Sequence, residues 1–205
     1  MKKRISLCLL IIIQFGIAQV KVPQSSPHMI MKQPVGLTEV EIDYSRPSMK
    51  GRTIMGDLVP YNEIWRTGAN NNTILKFSDP VKVGGENIKA GSYALYAKPG
   101  LENWTLYFYT DTDNSGIPKN WDTTKIATTL IIPVKKRATP LETFTISLDN
   151  LSNDGAIINL SWENIDIPIS LEVPAKEKAL KSIDKTMKKK PSARDYYSAA
   201  SYYFE

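Results

Sequence analysis

Between residues 28 and 174 apolar and polar residues alternate with a period of two, and this confines the chain to extended structure. In Val40-Glu41-Ile42-Asp43-Tyr44 the apolar side chains share one face and the acids the other. Trp104, Leu106 and Phe108 alternate with Thr105, Tyr107 and Tyr109; Phe144, Ile146 and Leu148 alternate with Thr143, Thr145 and Ser147. Ile158, Leu160 and Trp162 repeat the pattern, as do Ile167, Ile169, Leu171 and Val173. A helix needs a period of 3.6, and no segment of this region sustains one long enough to build βαβ units. Turn residues fall between the runs: Gly84-Gly85, Ala90-Gly91, Pro99-Gly100, Asn114-Ser115-Gly116 and Asn153-Asp154-Gly155. Val81–Val83, Gly84-Gly85 and Glu86–Ile88 predict a tight hairpin leading into a strand over Ser92–Lys98. The expectation is an all-β body of about nine to ten strands, an antiparallel β-sandwich or open barrel.

The residues after Pro174 are of a different kind. They contain no glycine, and Ala179, Leu180, Ile183 and Met187 fall at helical spacing, which predicts an amphipathic helix over 175–190. Pro191 breaks it, and Ser192 with Asp195 forms a capping-box pattern opening a second helix that carries Tyr196, Ala199, Ala200 and Tyr203. The tail 175–205 therefore reads as a helical hairpin. Lys188-Lys189-Lys190 suits a solvated helix C-terminus, where cations favour the macrodipole. Acidic membrane surfaces and nucleic acid are the competing partners for such a run.

At the other end, Lys2, Lys3 and Arg4 precede the apolar run Leu7–Ile13, and Gly16-Ile17-Ala18 supplies small residues for signal peptidase. Residues 1–18 read as a secretory signal, which implies export to the periplasm or beyond. Its apolar run is too short to span a bilayer. Cleavage after Ala18 removes Cys8, the only cysteine, so the exported chain has neither disulfide nor thiol chemistry. The net charge of +5 is distributed unevenly: +3 in residues 1–18, +4 in 175–205 and −2 in the body 19–174. The basic balance belongs to the two ends, and nucleic acid is not an expected partner.

One segment departs from the strand pattern. Residues 44–72 hold three of the body's four arginines, Arg46, Arg52 and Arg66, together with Lys50, Trp65 and Asn70-Asn71-Asn72. Long connections inside a sandwich are commonly functional. The runs Tyr44-Ser45-Arg46-Pro47, Lys50-Gly51-Arg52, Leu58-Val59-Pro60-Tyr61 and Trp65-Arg66-Thr67-Gly68-Ala69-Asn70, with the later Ala90-Gly91-Ser92-Tyr93-Ala94-Leu95, resemble the family catalogued as domain of unknown function 2911. The resemblance covers about residues 25–173 and implies an exported protein of Bacteroidetes-type bacteria. Some members continue into tetratricopeptide helices, which the Tyr-Tyr-Ser-Ala-Ala-Ser-Tyr-Tyr pattern of the tail weakly resembles. The family brings no established activity, catalytic residue or cofactor.

Arg46, Lys50, Arg52 and Arg66 have the chemistry to hold a carboxylate, phosphate or sugar acid, because guanidinium donates bidentately. Trp65 offers a stacking face and Asn70 an amide. The structural alternative is that the arginines tie the loop to the sandwich through Asp43, Asp57, Glu63 or carbonyls. His28 is the single histidine, so neither a His-based triad nor a His-rich metal site is expected. Asp111, Asp113, Ser115 and Asp122 follow a calcium-loop spacing, but with Asp at the twelfth position, Pro118 at the eighth and no flanking helices. The sequence thus favours a non-catalytic binding module for a polar or anionic small molecule, glycan or protein, without cofactor. Two other classes stay open: a carbohydrate-active hydrolase using Asp57 and Glu63, and a scaffold that docks protein partners through its tail.

Overall fold

The computed structural model describes residues 22–204 and contains ten β-strands followed by two α-helices. The segment expected to be a signal, 1–18, lies outside the described residues. A six-stranded antiparallel sheet has the order β1 (His28–Val35), β2 (Thr38–Ser45), β3 (Thr73–Phe77), β6 (Gly91–Lys98), β7 (Asn103–Tyr109), β8 (Ile126–Pro133). A four-stranded sheet has the order β5 (Glu86–Ile88), β4 (Val81–Val83), β10 (Gly155–Glu172), β9 (Lys135–Asp149). The two sheets bury their facing sides against each other, as the alternation requires. Val40, Ile42 and Tyr44 of β2, Trp104, Leu106 and Phe108 of β7, and Ile158, Leu160 and Trp162 of β10 all enter one core. The expected hairpin at Gly84-Gly85 joins β4 to β5 in the register Val83↔Glu86.

One strand is buried on both sides. The outward residues Ala94 and Tyr96 of β6 are covered together with Tyr109 by Trp121, which stacks on Tyr109 at 4.9 Å and meets Tyr96 edge-on at 5.2 Å. Trp121 belongs to the connection 110–122, so that loop folds over the outer face of the larger sheet.

The helices α1 (Ala175–Met187) and α2 (Ala193–Phe204) form the expected hairpin, α1 ending three residues short of the predicted limit. Ser192 and Asp195 make the capping box: the Asp195 carboxylate accepts from Ser192 N at 2.8 Å, and Asp195 N donates to Ser192 Oγ at 3.3 Å. Lys188 pairs with Asp184 one turn earlier, the solvated arrangement expected of the lysine run. Lys178 ties α1 to the sandwich, donating to Asp79 at 2.6 Å and to the Leu37 carbonyl at 2.5 Å. Burial opposes the charge on Asp79, but hydrogen bonds from Lys178, Ser78 and Thr38 outweigh it and hold its carboxyl below the usual range. A carboxyl with a lowered folded pKa stabilises above its unfolded value, about 4, and that contribution is lost as pH falls through the folded value. Hydrogen-exchange protection of α1 is therefore expected to weaken in wild type on acidification through this window. Lys178→Ala is expected to weaken it already at neutral pH, by about 1 kcal/mol for a partly exposed pair.

Candidate functional site

The dense segment begins by sealing an edge. In its sheet β9 has a neighbour only on one side, so the backbone groups of alternate residues face outward and must find partners elsewhere. Residues 44–50 supply them. The Tyr44 hydroxyl, buried between the sheets, accepts from Ile146 N at 2.9 Å and donates to Ile146 O at 3.3 Å. Phe144 N donates to Pro47 O at 2.8 Å, and Arg46 Nε donates to Phe144 O at 3.2 Å. Arg46 Nη2 reaches Thr145 Oγ1 at 2.7 Å, and Met49 N donates to Glu142 O at 2.8 Å. Every second residue of β9 from Glu142 to Ile146 is paired in this way. Arg46, expected among the ligand-binding residues, is therefore turned against β9; the unsatisfied edge is the physical reason.

The segment then leaves the edge and returns through a strained turn. Glu163, at a bulge in β10, accepts the Ile54 and Met55 amides at 3.3 and 3.2 Å and pins the middle of the segment. Trp65 joins β6 by reciprocal bonds with Ala97, 2.7 and 2.9 Å long. The next residues, Thr67 (φ 55°) and Gly68 (φ 149°), have positive φ. For a β-branched residue such as Thr67 this conformation costs on the order of 1–3 kcal/mol. Gly68 has no room for a side chain: a Cβ there would lie 2.9 Å from Thr73 Oγ1 and 3.1 Å from Ser45 O. The turn is held by Thr73 Oγ1, which donates to Thr67 O at 2.5 Å, and by Trp65 Nε1, which donates to Gly68 O at 3.2 Å.

This turn places Arg66 on the wall of a cleft of about 340 Å³. Lys50, Arg52, Trp65 and Arg66 line the same cleft, with Leu58, Val59 and Trp162 as its apolar part. Four of the six residues singled out as ligand candidates are thus brought together. Arg52 spends Nε on Met49 O at 2.9 Å and Nη2 on Ser48 O at 2.8 Å, which fixes the guanidinium and leaves Nη1 uncommitted. Neither Lys50 Nζ nor the Arg66 guanidinium makes a hydrogen bond or ion pair with any described residue, the guanidinium lying against Gly116 of the 110–122 loop, and no Asp or Glu lines the cleft. Trp65 is only in part the stacking platform expected of it. Its ring lies against Trp162 at 5.8 Å, Phe144 at 5.2 Å and Trp104 at 5.9 Å, so it serves as the plug of the core. Trp162 was not legible as a cleft residue, because β10 is about a hundred residues away in the chain and reads as an ordinary core strand.

The remaining candidates are placed elsewhere. Asn70 spends its amide on Ser26 O at 3.3 Å and Ser45 Oγ at 3.2 Å. Asp57 and Glu63 are exposed and do not line the cleft. Of the calcium-loop residues, Asp111 pairs with Lys125 at 2.6 Å, and Asp122 caps a 3₁₀ turn at Thr123–Lys125. Among the described residues no three His, Cys, Asp or Glu side chains are grouped to hold a metal ion. Trp121 of the same loop packs over β6. His28, on the first residue of β1, bonds Asp43 at 2.5 Å.

Fold and site together define a two-sheet β-sandwich with a cation-lined cleft and a docked helical hairpin. The chain belongs to the family described as Protein of unknown function (DUF2911), which matches residues 26–171. That span contains both sheets up to Leu171 and every charged residue of the cleft. No curated protein and no solved structure matches the chain.

Proposed function

We propose that this chain is an exported, non-catalytic binding module whose cleft takes a small ligand bearing a carboxylate or phosphate group. The observation that carries this reading is the cleft's charge: Lys50, Arg52 and Arg66 all line it and no Asp or Glu does, although one carboxylate, that of Glu142, accepts the Lys50 amide at 2.8 Å. Cations that share a cleft repel one another, and an anion relieves that repulsion. Arg52, already oriented by two carbonyls, is a pre-organised donor, which reduces the entropy lost on binding. Leu58, 44% exposed, and the half-buried Trp65 give the ligand's carbon skeleton an apolar surface. Export is supported by the n-region, apolar run and Gly16-Ile17-Ala18 at the start of the chain.

Calorimetric titration of the purified chain at low ionic strength with phosphate, citrate and D-glucuronate tests the reading. At least one of these anions is expected to bind with Kd on the order of 1 mM or tighter, about −4 kcal/mol. Lys50→Ala or Arg66→Ala is expected to weaken that binding about tenfold, the loss of one charge-assisted hydrogen bond. Absence of heat with all three anions refutes the proposal.

A further inference from the structure

A second cavity, of about 290 Å³, lies on the outer face of the larger sheet, where the 110–122 loop leans over the ends of β1, β2 and β3. Its lining differs in kind from that of the cationic cleft: His28, Asp43, Asn72, Asp113, Asn114 and Ser115 contribute, and no Lys or Arg does. Asn72 is 4% exposed, and neither its Oδ1 nor its Nδ2 has a hydrogen-bond partner. A buried amide without partners is costly, and native chains rarely retain one without a use. The nearest hydroxyl does not remove the deficit. Tyr96, whose phenol is pushed up to about 12 by burial and by Tyr109 and Asp111 against a smaller pull from Asn72, donates to Gly116 O at 3.1 Å. It has no proton left for Asn72 Oδ1, and its oxygen lies beyond hydrogen-bond distance of Asn72 Nδ2. Asn114 Nδ2 is covered and unbonded as well. Asp111 is its polar neighbour but lies beyond hydrogen-bond distance, and the lowering of the Asp111 carboxyl comes first from the Lys125 hydrogen bond.

We propose that this cavity is a separate site for a neutral polyhydroxylated molecule of monosaccharide size. Each hydroxyl of a vicinal diol both donates and accepts, so it is matched by an amide and a carboxylate placed side by side. Asn72 supplies a donor and an acceptor, Asn114 a further donor, and Asp43 and Asp113 acceptors. The cavity carries acids and no cation, so it repels the anions that suit the cleft. Its volume, at the lower end for small-molecule pockets, admits about one sugar ring. Ile74 gives the ring's C–H face an apolar neighbour. The Asp43 carboxylate is already oriented by His28.

The test is an NMR titration of the isotopically labelled chain, following the Asn side-chain amides, with D-glucose, D-galactose and D-mannose as probes. Citrate and calcium chloride are titrated separately. At least one hexose is expected to shift the Asn72 and Asn114 amide resonances, with citrate and calcium leaving them in place. Asn72→Ala is expected to weaken hexose binding at least tenfold while melting no lower than wild type, since it removes an amide that the unliganded fold does not satisfy. Asp113→Asn, at an exposed loop position, provides a second variant and is expected to weaken binding several-fold. No shift with any hexose, a calcium-dependent shift of the same resonances, or a large fall in melting temperature of Asn72→Ala with hexose binding retained each overturns the proposal. Anion binding at the cleft is scored by other ligands and other variants, so either site can fail alone.

Discussion

Tyr44→Phe is expected to destabilise the chain by about 3 kcal/mol, although it removes a single oxygen. The hydroxyl satisfies both Ile146 N and Ile146 O, and the space it leaves in the core offers no other partner. Each buried backbone group left without a partner costs about 1–3 kcal/mol. For a domain of this size the loss lowers Tm by about 6–12 °C, measurable by circular dichroism. The same residue has an alkaline signature. Burial raises the Tyr44 phenol, against a smaller lowering by its backbone hydrogen bond with Ile146. A raised folded pKa gives stability that is fully present below the unfolded value, about 10, and is lost as pH rises through the folded one. Tyr44→Phe is expected to flatten that part of the alkaline limb.

Trp162→Ala has the larger effect, about 4 kcal/mol, because it empties the meeting point of both sheets and the dense segment. The ring is 2% exposed, stacks on Trp65 at 5.8 Å and packs on Phe144 at 5.8 Å. Its Nε1 also donates to Glu142 O at 3.2 Å, on the edge strand. Large-to-small changes of buried tryptophan cost about 3–5 kcal/mol, a substantial part of a domain's total stability. Denaturant titration is expected to show a much lower midpoint with a similar slope. Trp65 of the neighbouring cleft loses its stacking partner in the same variant, so anion binding is expected to weaken as well. Trp162→Phe, which keeps a ring there, is expected to retain most of both properties.

The alternating runs were readable because each strand has one face in the core, so the order of apolar residues in the chain is the order of burial. The hairpin at Gly84-Gly85 and the capping box at Ser192 were readable for a similar reason: both are local, set by residues within a few positions of one another. What could not be read was which sheet each strand joins, and hence that β9 ends with an open edge beside residues 44–50. That single fact divides the arginines. Arg46 and Arg66 are chemically identical in the sequence, yet one is drawn to a carbonyl and a hydroxyl almost a hundred residues ahead and the other is left without a described partner. The burial of Asn72 was equally illegible. It depends on the 110–122 loop folding back, and the acids of that loop suggested a cation site when the anchoring residue is Trp121. Lys50, Arg52, Trp65 and Arg66 stood out in composition, because arginine and tryptophan gathered in a long connection are unusual within a sandwich, and the fold places all four around one cleft.

The dense segment seals an edge from Tyr44 to Lys50, and the proposed function gives it a second role, an anion-binding wall completed by Arg66. Thermal unfolding of Arg46→Ala and Arg66→Ala, each with and without a saturating anion from the panel above, separates them directly. Arg46→Ala is expected to lower the baseline Tm, losing about 2 kcal/mol in charge-assisted hydrogen bonds to β9, and to keep the anion-induced rise. Arg66→Ala is expected to keep the baseline within about 0.5 kcal/mol and to lose most of the rise. An Arg66→Ala variant stabilised by the anion as fully as wild type, or an Arg46→Ala variant with an unchanged baseline, contradicts the account.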